Sequence, residues 1–391
     1  MVDEVDVLVA GGGPAGIAAA VSAARAGCRT LLVERYNHLG GLWTGGLVLP
    51  LLSTHGVDRH QNQVQVIQGI GQEVWERLKE IDMSIYEVNP VIDPEAAKYV
   101  LEVMLKEAGV QVYYHSWVAN VLVEQETIRA MILETKSGRV AVLPKMVVDC
   151  TGDGDVLSLA GEPFRQMNYD IGLVHRLGNV DRVNREAPGY REMDLGGETP
   201  IPSVNWVNMT GTGHEDGLDF KKLSELQRNY RIRVWEQVKK IREVPGHEEI
   251  FLLDTASQLG VRMSRILDGM YSLSLKDSMT YKRFDDCIGI SGAWISVLYD
   301  GTSVKWDKRP LWQIPYSSLV PRNTRNLLVA GRCFSFHEEL FQDARVIGTC
   351  LITGHGAGAA AAVSVRKGTS VRDTDVPAIR KLLLEQHAYL G

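Results

Sequence analysis

The 391-residue chain is poor in cysteine, carries little net charge and has no long apolar run. Its five cysteines are scattered and form no C-x-x-C pair, which argues against a disulfide scaffold, a zinc site or an iron–sulfur cluster. No uncharged apolar stretch reaches the roughly 20 residues that a membrane-spanning helix needs. A formal charge of −6 gives no reason to expect a nucleic acid or an anionic membrane as partner. The acidic N-terminus enters a strand pattern by Val5 and does not read as a signal peptide, so we expect a cytoplasmic protein.

The most informative feature is a glycine-rich turn between an apolar strand and a small-residue helix. In this G-x-G-x-x-G pattern, Gly11 allows the tight turn, Gly13 lets the backbone approach a pyrophosphate, and Gly16 lets the helix sit close to the strand. A second apolar strand ends at Glu34, whose carboxylate can accept bonds from ribose hydroxyls and would repel the extra phosphate of NADP. The pattern predicts an adenine-dinucleotide site. The alternative is a glycine-rich turn of an ordinary βαβ unit without a ligand.

The order of sheet-forming and other segments predicts a discontinuous organisation. Apolar spacing and capping residues predict helices over 64–80, 94–109, 218–243, 344–367 and 375–388. Residues 117–149 read as an antiparallel meander, 163–215 as irregular, and 250–300 as short strands and turns. We therefore expect an α/β fold with a Rossmann-like nucleotide-binding domain, an antiparallel meander and an inserted mixed α+β substrate domain. The predicted boundaries are 1–50, 93–162 and 320–391 for the nucleotide domain, 51–92 for a helical lid-like insertion, and 163–319 for the substrate domain.

Four separated segments carry a resemblance to a known family. They are residues 9–16 with Glu34-Arg35, residues 40–46 (GGLWTGG), residues 149–155 (DCTGDGD) and residues 326–358. In this order they resemble the FAD-dependent oxidoreductases of the glutathione-reductase-like FAD fold, which are related to fumarate reductase and heterodisulfide reductase flavoproteins. A shorter echo lies at Gly260-Val261-Arg262 with Arg265.

The resemblance implies FAD as the cofactor and assigns residues to it. The pyrophosphate would be held by Gly11, Gly13, Pro14, Ala15 and Gly16, and the adenosine by Glu34, Arg35 and the backbone of Ala119. The ribityl chain and flavin ring would pass Gly40, Gly41 and Thr44, while Thr151, Gly152 and Asp153 close over the dinucleotide. Gly331 and Arg332 would lie on the flavin phosphate side, and Gly348 and Thr349 would aim N–H groups at the pyrimidine edge of the ring. For the glycines of 354–358, helix packing is an equal alternative to ligand contact.

A redox cysteine pair and a second glycine motif are missing from the sequence, and their absence narrows the reactions that we expect. Leu42-Trp43-Thr44-Gly45 stands where disulfide reductases carry a redox cysteine pair, which excludes dithiol chemistry. No second G-x-G-x-x-G follows a strand, so no nicotinamide domain is visible. The chain reads as a stand-alone flavoenzyme.

Three residues are candidates for catalysis. His337 follows the strand that delivers Arg332 and suits proton transfer near neutral pH, or else is a packing histidine. Arg345 could bind a substrate carboxylate or the flavin, with a salt bridge to Asp343 or Glu339 as the alternative. His55 could reach the site from the lid-like insertion or could lie on the surface.

The substrate candidates lie in the middle of the chain. Arg262 and Arg265 could bind an anionic substrate or could pair with Asp268 or Glu249. The predicted function is hydride transfer between bound FAD and a small organic molecule, with an unidentified electron donor or acceptor; whether the protein is a homo-oligomer is open. The alternatives are a flavin-dependent monooxygenase or hydroxylase, a non-catalytic FAD-binding protein and an NAD-binding dehydrogenase.

Overall fold

The computed structural model describes residues 2–58, 60, 62–184, 186, 188, 194–211 and 213–391. Its α-helices are, in chain order, α1 (Pro14–Arg25), α2 (Ile70–Glu80), α3 (Pro94–Ala108), α4 (Asp155–Leu159), α5 (Phe220–Arg242), α6 (Leu275–Met279), α7 (Phe341–Ala344), α8 (Ile347–Lys367) and α9 (Val376–Glu385).

The strands fall into three groups along the chain. Those of the first 150 residues are β1 (Val2–Ala10), β2 (Thr30–Val33), β3 (His55–Val57), β4 (Gln63–Gln65), β5 (Ser84–Ile85), β6 (Val91–Ile92), β7 (Gln111–Tyr113), β8 (Trp117–Glu124), β9 (Thr127–Thr135) and β10 (Gly138–Asp149). Those of the middle are β11 (Phe164–Gln166), β12 (Tyr169–Gly178), β13 (Gly197–Glu198), β14 (Val204–Met209), β15 (His214–Glu215), β16 (Phe251–Thr255), β17 (Gly260–Val261) and β18 (Arg265–Leu267). The remainder are β19 (Cys287–Ser291), β20 (Val297–Tyr299), β21 (Thr302–Val304), β22 (Trp312–Pro315) and β23 (Leu327–Val329).

The main sheet combines a parallel part with an antiparallel meander, as predicted. Its order is β7-β2-β1-β10-β9-β8, with β23 also paired to β10. The pairs that join β7, β2, β1, β10 and β23 are parallel, whereas β10–β9 and β9–β8 are antiparallel. The apolar side chains of β1 and β2 lie on both faces of a covered sheet, which explains their nearly continuous hydrophobic runs. The fold is therefore α/β with a Rossmann-like core, assembled from both ends of the chain.

A close helix pair covers this core. A Cβ atom added to Gly354 would lie 2.1 Å from the Ala15 carbonyl oxygen, and one added to Gly358 would lie 2.3 Å from that of Ala19. Helix α8 thus packs directly on the backbone of α1. Of the two roles considered for the glycines of 354–358, helix packing therefore applies to Gly354 and Gly358.

The middle of the chain contains more regular structure than its sequence predicts. Strand β12 pairs with β14, β15, β16 and β17, and Arg176 near its C-terminal end is buried with an ion pair of 2.6 Å to Asp254. The prediction that 163–215 is irregular is wrong for β11, β12 and β14. The polar residues His175 and Arg176 interrupt the apolar pattern of β12, although both are buried. The exact domain boundaries stay a prediction.

The predicted helices are found, but two of them start clearly later than predicted; the helix predicted over 344–367 begins at Ile347, after the short helix α7. Helix α3 begins as expected, because the Asp93 carboxylate accepts from the N–H groups of Glu95 and Ala96, and it ends at Gly109 with φ of +75°. The predicted helix over 64–80 begins only at Ile70, because residues 63–65 form β4 and pair with β3.

No single helix within the described ranges has both the length and the apolar composition to cross a membrane. Residues 338–344 and 347–367 meet that criterion only as a pair, with a bend of 91° between them.

Candidate functional site

The first glycine turn leaves a helix end free to bind an anion. Gly11 has φ of +98°, and its N–H donates to the Val33 carbonyl at 2.8 Å. Gly13 is the N-cap of α1 and Pro14 its first residue. Among the residues that the structure describes, none accepts a hydrogen bond from the N–H groups of Ala15 and Gly16. These free donors and the helix dipole suit a phosphate group.

The second glycine loop lies against the first. The N–H of Gly40 donates to the Gly12 carbonyl at 2.8 Å, and a Cβ on Gly41 would lie 3.0 Å from the Cα of Gly13. The hydroxyl of Thr44 donates to the Leu39 carbonyl. The side chain of Thr44 therefore shapes the loop, and its hydroxyl hydrogen is already used.

The third and fourth segments complete the same groove. Gly331, with φ of +80°, approaches Ala15 so closely that a Cβ there would lie 3.1 Å from the Ala15 methyl. Arg332 lies across Gly152 and donates to the Gly152 carbonyl and to the Asp153 carboxylate, both at 2.6 Å. The Thr151 hydroxyl donates to Asp149 at 2.7 Å and orders the turn.

An open cleft of about 740 Å³ is lined by two residues that the sequence assigns to the adenosine, Arg35 and Ala119. Arg35 lines it, with its guanidinium 5.0 Å from the ring centres of Tyr36 and Trp117. Ala119 also lines it, and the pairing of β8 with β9 shifts register between Val118 and Asn120, so Ala119 stands outside the regular ladder. A backbone group at such a bulge is available to a ligand.

The side chain of Glu34 stabilises the first glycine turn. Its buried carboxylate accepts from the N–H groups of Gly12 at 2.6 Å and Tyr36 at 2.9 Å. The acid therefore fixes the first glycine turn, and its predicted contact with a ribose stays a prediction.

A charged cluster lies between the groove and the middle of the chain. Asp153 accepts from Arg332 at 2.6 Å and Ser264 at 2.9 Å and pairs with Arg35 at 3.5 Å. Although burial works in the opposite direction, the two guanidinium groups hold the pKa of the Asp153 carboxyl below its ordinary value. Burial, together with the charges of Asp153 and Asp149, raises the pKa of the neighbouring Asp155 to about 6.

The two arginines expected to bind substrate are found in different surroundings. Arg265 lines the same cleft as Arg35 and donates to the Asp153 carbonyl at 2.9 Å and to Asp155 at 3.1 Å. Its assignment to the substrate stays a prediction. Arg262 pairs with Asp170. The alternative partner Asp268 pairs with Arg322 instead.

The start of α8 offers backbone donors but no free hydroxyl. The Thr349 hydroxyl donates to the Asp343 carbonyl at 2.8 Å and lies 2.9 Å from the Ser291 hydroxyl. A Cβ on Gly348 would lie 2.6 Å from the Leu52 carbonyl oxygen. Any contact of Gly348 or Thr349 with a ligand would therefore use main-chain N–H groups.

The two candidate histidines differ in exposure. His337 is exposed, and its N–H donates to the Leu273 carbonyl at 2.7 Å. No described residue forms a hydrogen bond with its imidazole ring. His55, half-buried on β3, lies 3.1 Å from the Thr54 hydroxyl through Nδ1, and burial lowers its pKa.

Arg345, immediately before α8, has no carboxylate partner among the described residues. Its Nη2 donates to the Gln342 side chain, and its buried Nε has no acceptor there. Asp343 instead pairs with the buried Arg309 at 2.6 Å, so the expected alternative of a salt bridge to Asp343 or Glu339 is wrong.

Sequence reasoning missed the residues that fasten the second glycine loop. The N–H of Gln258 donates to the Gly45 carbonyl at 3.0 Å, and its side chain lies 3.3 Å from Nε2 of the buried His38. His38 stands just before the loop and could have been suspected from this position. Gln258 comes from the distant middle of the chain, and no local signal marks it.

The groove fits FAD in its chemistry. Glycines meet where a pyrophosphate would need close backbone approach, free N–H groups lie at the end of α1, and an open cleft is lined by Arg35, the residue after Glu34, and by Trp117. Fold and site together define a flavoprotein of the Rossmann type.

The family model described as FAD dependent oxidoreductase matches residues 6–183 and 174–383. The chain belongs to this family and is an FAD-dependent oxidoreductase.

Relatives in sequence and in fold are more distant. Thiamine thiazole synthase from Methanococcus vannielii is 29% identical over 202 residues, which are 49% of this chain and 66% of that protein. The enzyme of the same name from Saccharolobus islandicus (strain L.S.2.15 / Lassen #1) is 29% identical over 181 residues, 43% of this chain and 62% of that protein. The matches thus span slightly less than two thirds of the length of these relatives.

Among solved structures, a geranylgeranyl bacteriochlorophyll reductase-like protein from Thermoplasma acidophilum has a TM-score of 0.51 and 14% identity, covering 99% of this chain and 85% of that one. BexE has a TM-score of 0.51 and 13% identity, covering 98% of this chain and 66% of that one. At such identity the likeness shows the fold alone.

Proposed function

We propose that the protein transfers a hydride between bound FAD and a small organic substrate. The observation that carries this proposal is the meeting of glycine turns from both ends of the chain at the free end of α1, where the Gly331 N–H also donates to the Thr353 hydroxyl of α8. When bound, the flavin ring accepts or gives the hydride. Membership of the FAD-dependent oxidoreductase family supports the reaction type at a coarser level.

The residues of the groove would bind and orient the cofactor. The N–H groups of Ala15 and Gly16 would hold the pyrophosphate, while Gly13 and Gly41 would let it approach the backbone. Glu34 and the backbone of Ala119 would receive the adenosine part. The main-chain N–H groups of Gly348 and Thr349 would stabilise negative charge on the reduced ring.

His337 would exchange the proton that accompanies the hydride. It is exposed, and its ring is not held by a hydrogen bond to any described residue, so it is free to meet a substrate. Such an acid or base contributes about a hundredfold or more to the rate.

We expect His337→Asn to slow anaerobic reduction of the bound flavin by substrate by about a hundredfold, with FAD content unchanged. Stopped-flow absorbance of the flavin measures the rate. His387→Asn is the matched control, because His387 is also exposed and asparagine tolerates its φ of +61°. An unchanged rate in His337→Asn would reject the proton role.

The reaction class is tested by anaerobic screening of small organic compounds for bleaching of the bound flavin. Stoichiometric bleaching with formation of an oxidised product supports hydride transfer. Turnover only with oxygen, with ¹⁸O from ¹⁸O₂ appearing in the product, would contradict the proposal and indicate a monooxygenase.

A further inference from the structure

The side chain of Arg345 is unusual for an arginine inside a protein. Its Nε is buried and has no hydrogen-bond acceptor among the described residues. Its Nη2 reaches only the amide oxygen of Gln342, and its guanidinium carbon lies 5.8 Å from the centre of the Phe341 ring. Buried arginines normally face a carboxylate, because an unpaired buried charge is unfavourable. Arg345 therefore has capacity for an anion that the described chain does not fill.

The carboxylates nearby in sequence are used elsewhere. Asp343 is buried and pairs with Arg309 at 2.6 Å. Glu338 and Glu339 are exposed, and neither lies within 4 Å of the Arg345 guanidinium. The amide of Gln342 is itself held, since its Nε2 donates to the Tyr169 hydroxyl at 3.1 Å. A neutral amide thus stands beside Arg345 where an ion pair would ordinarily form.

Two further arginines act on Arg345. They are Arg262 and Arg332, and each is already paired, with Asp170 and Asp153 respectively. The Asp343 carboxyl also interacts with the charge of Arg345, but its ion pair is formed with Arg309. Burial, with the like charges of Arg262 and Arg332, lowers the pKa of Arg345 to about 10. The guanidinium still carries its charge at neutral pH, in a place where a negative group would be stabilised.

The position of Arg345 connects this cluster to the proposed reaction. Arg345 is the residue before Val346, the N-cap of α8, and α8 begins with Ile347, Gly348 and Thr349. Its Nη1 donates to no described residue, so one arm of the fork is available to a ligand.

We propose that Arg345 binds a carboxylate group of the substrate, so that this enzyme acts on small organic acids. The proposal rests on the proposed function for the place of the substrate. Gln342 would be a positioning residue, because it holds one arm of the guanidinium and is itself held by Tyr169. Phe341 would supply an apolar wall beside the carboxylate. A planar fork of donors matches the two oxygens of a carboxylate.

The test is a binding measurement on the protein loaded with FAD. Benzoate and succinate are the probes, and benzamide and succinamide are their uncharged controls. We expect a carboxylate to shift the absorbance spectrum of the bound flavin and to raise the thermal midpoint of the protein, whereas the amides do neither. Arg345→Met should weaken carboxylate binding about tenfold or more, which is the effect of losing a charged hydrogen bond.

Two further variants make the result specific. Arg345→Lys keeps the positive charge but loses the planar fork of donors, so its affinity for carboxylates should lie between those of the wild type and of Arg345→Met. This variant also tests the proposal if Arg345→Met does not fold. Arg233→Met removes an exposed arginine of α5 and should leave carboxylate binding unchanged.

The outcomes separate this proposal from the function on which it rests. The proposal is overturned if neither carboxylate binds, if the amides bind equally well, or if Arg345→Met keeps wild-type affinity. A variant that loses FAD affinity but keeps carboxylate affinity would assign Arg345 to the flavin instead. If no compound reduces the flavin, hydride transfer is contradicted. Carboxylate binding is read independently from the thermal midpoint, so that result would not decide whether Arg345 binds a carboxylate.

Discussion

At the scale of single residues, Gly13 and Gly16 belong to one turn but are glycine for different reasons. A Cβ on Gly16 would lie 1.8 Å from the Gly11 carbonyl oxygen, so this position is fixed by the protein itself. A Cβ on Gly13 would meet only the Cα of Gly41, at an ordinary 3.9 Å, and φ there is −72°. The chain alone does not require glycine at position 13. Under the proposed function, glycine at position 13 serves the close approach of a pyrophosphate.

This contrast gives a prediction for Gly13→Ala. The variant should fold with a loss of no more than about 1 kcal/mol, because alanine is a weaker N-cap than glycine. Its affinity for FAD should fall at least about tenfold, since the new methyl group occupies the space of the cofactor. Urea unfolding of the FAD-free protein measures the first effect, and titration with FAD fluorescence the second.

Gly16→Ala is the matched comparison, and we expect this variant to lose both folding and FAD binding. If Gly13→Ala binds FAD as the wild type does, the pyrophosphate does not lie at this turn.

The glycine positions could be predicted from the sequence, because a turn, a helix end and a strand are local features. The partners of polar side chains could not. The side chain of Thr349 contacts Ser291, and that of Arg265 contacts Asp155; both partners are remote in the chain. Each of the two side chains also donates to a main-chain carbonyl. Local sequence does not record such partners, which is why it gives no sign of Gln258 or of the ion pair between Arg265 and Asp155.

At the scale of elements, α8 is long and apolar, but its most important feature is the pair of glycines on the face that contacts α1. Gly354 and Gly358 face the backbone of α1 at Ala15 and Ala19. Gly356 faces another direction, where an added Cβ would lie 2.3 Å from the end of the Ile288 side chain. A side-chain end can move, whereas a main-chain carbonyl cannot move without shifting the helix.

We therefore expect Gly354→Ala to destabilise the protein by at least about 2 kcal/mol, because overpacking against backbone forces the two helices apart. Gly356→Ala should cost less, since Ile288 can change its rotamer. Gly213→Ala is the reference substitution, because no atom of the residues that the structure describes lies within 4 Å of the added Cβ. The free energies of unfolding in urea give the order. Equal losses in Gly354→Ala and Gly213→Ala would show that α8 does not depend on this contact.

Elements with local signals were predicted well, and those that depend on remote pairing were not. Helix α3 carries its cap and its stop in its own sequence, and the meander alternates with clear turns. Strand β12 owes its place to four partners along the chain, and its buried Arg176 is neutralised by Asp254 and Asp93. A pattern that depends on partners far away looks irregular when read alone.

At the scale of the whole molecule, the middle of the chain is tied to the nucleotide-binding core by polar contacts. Ser264 donates to Asp153 at 2.9 Å, and the Gln258 N–H donates to the Gly45 carbonyl at 3.0 Å. The buried Arg176 lies 3.4 Å from Asp93, the cap of α3. These contacts reach the loops that form the groove, so the groove keeps its shape only while both parts are folded.

We therefore expect the protein with bound FAD to unfold in a single transition. Release of the flavin, followed by its own fluorescence, should have the same midpoint as the loss of secondary structure followed by circular dichroism. Trp43 reports on the core and Trp312 on the middle of the chain, and both are buried, so tryptophan fluorescence should follow the same curve. Free FAD at a hundredfold excess over its dissociation constant adds about 2.7 kcal/mol and should move all midpoints upward together. A circular dichroism transition that precedes flavin release, or follows it, would show that the two parts melt independently and that the cross-contacts do not hold the groove.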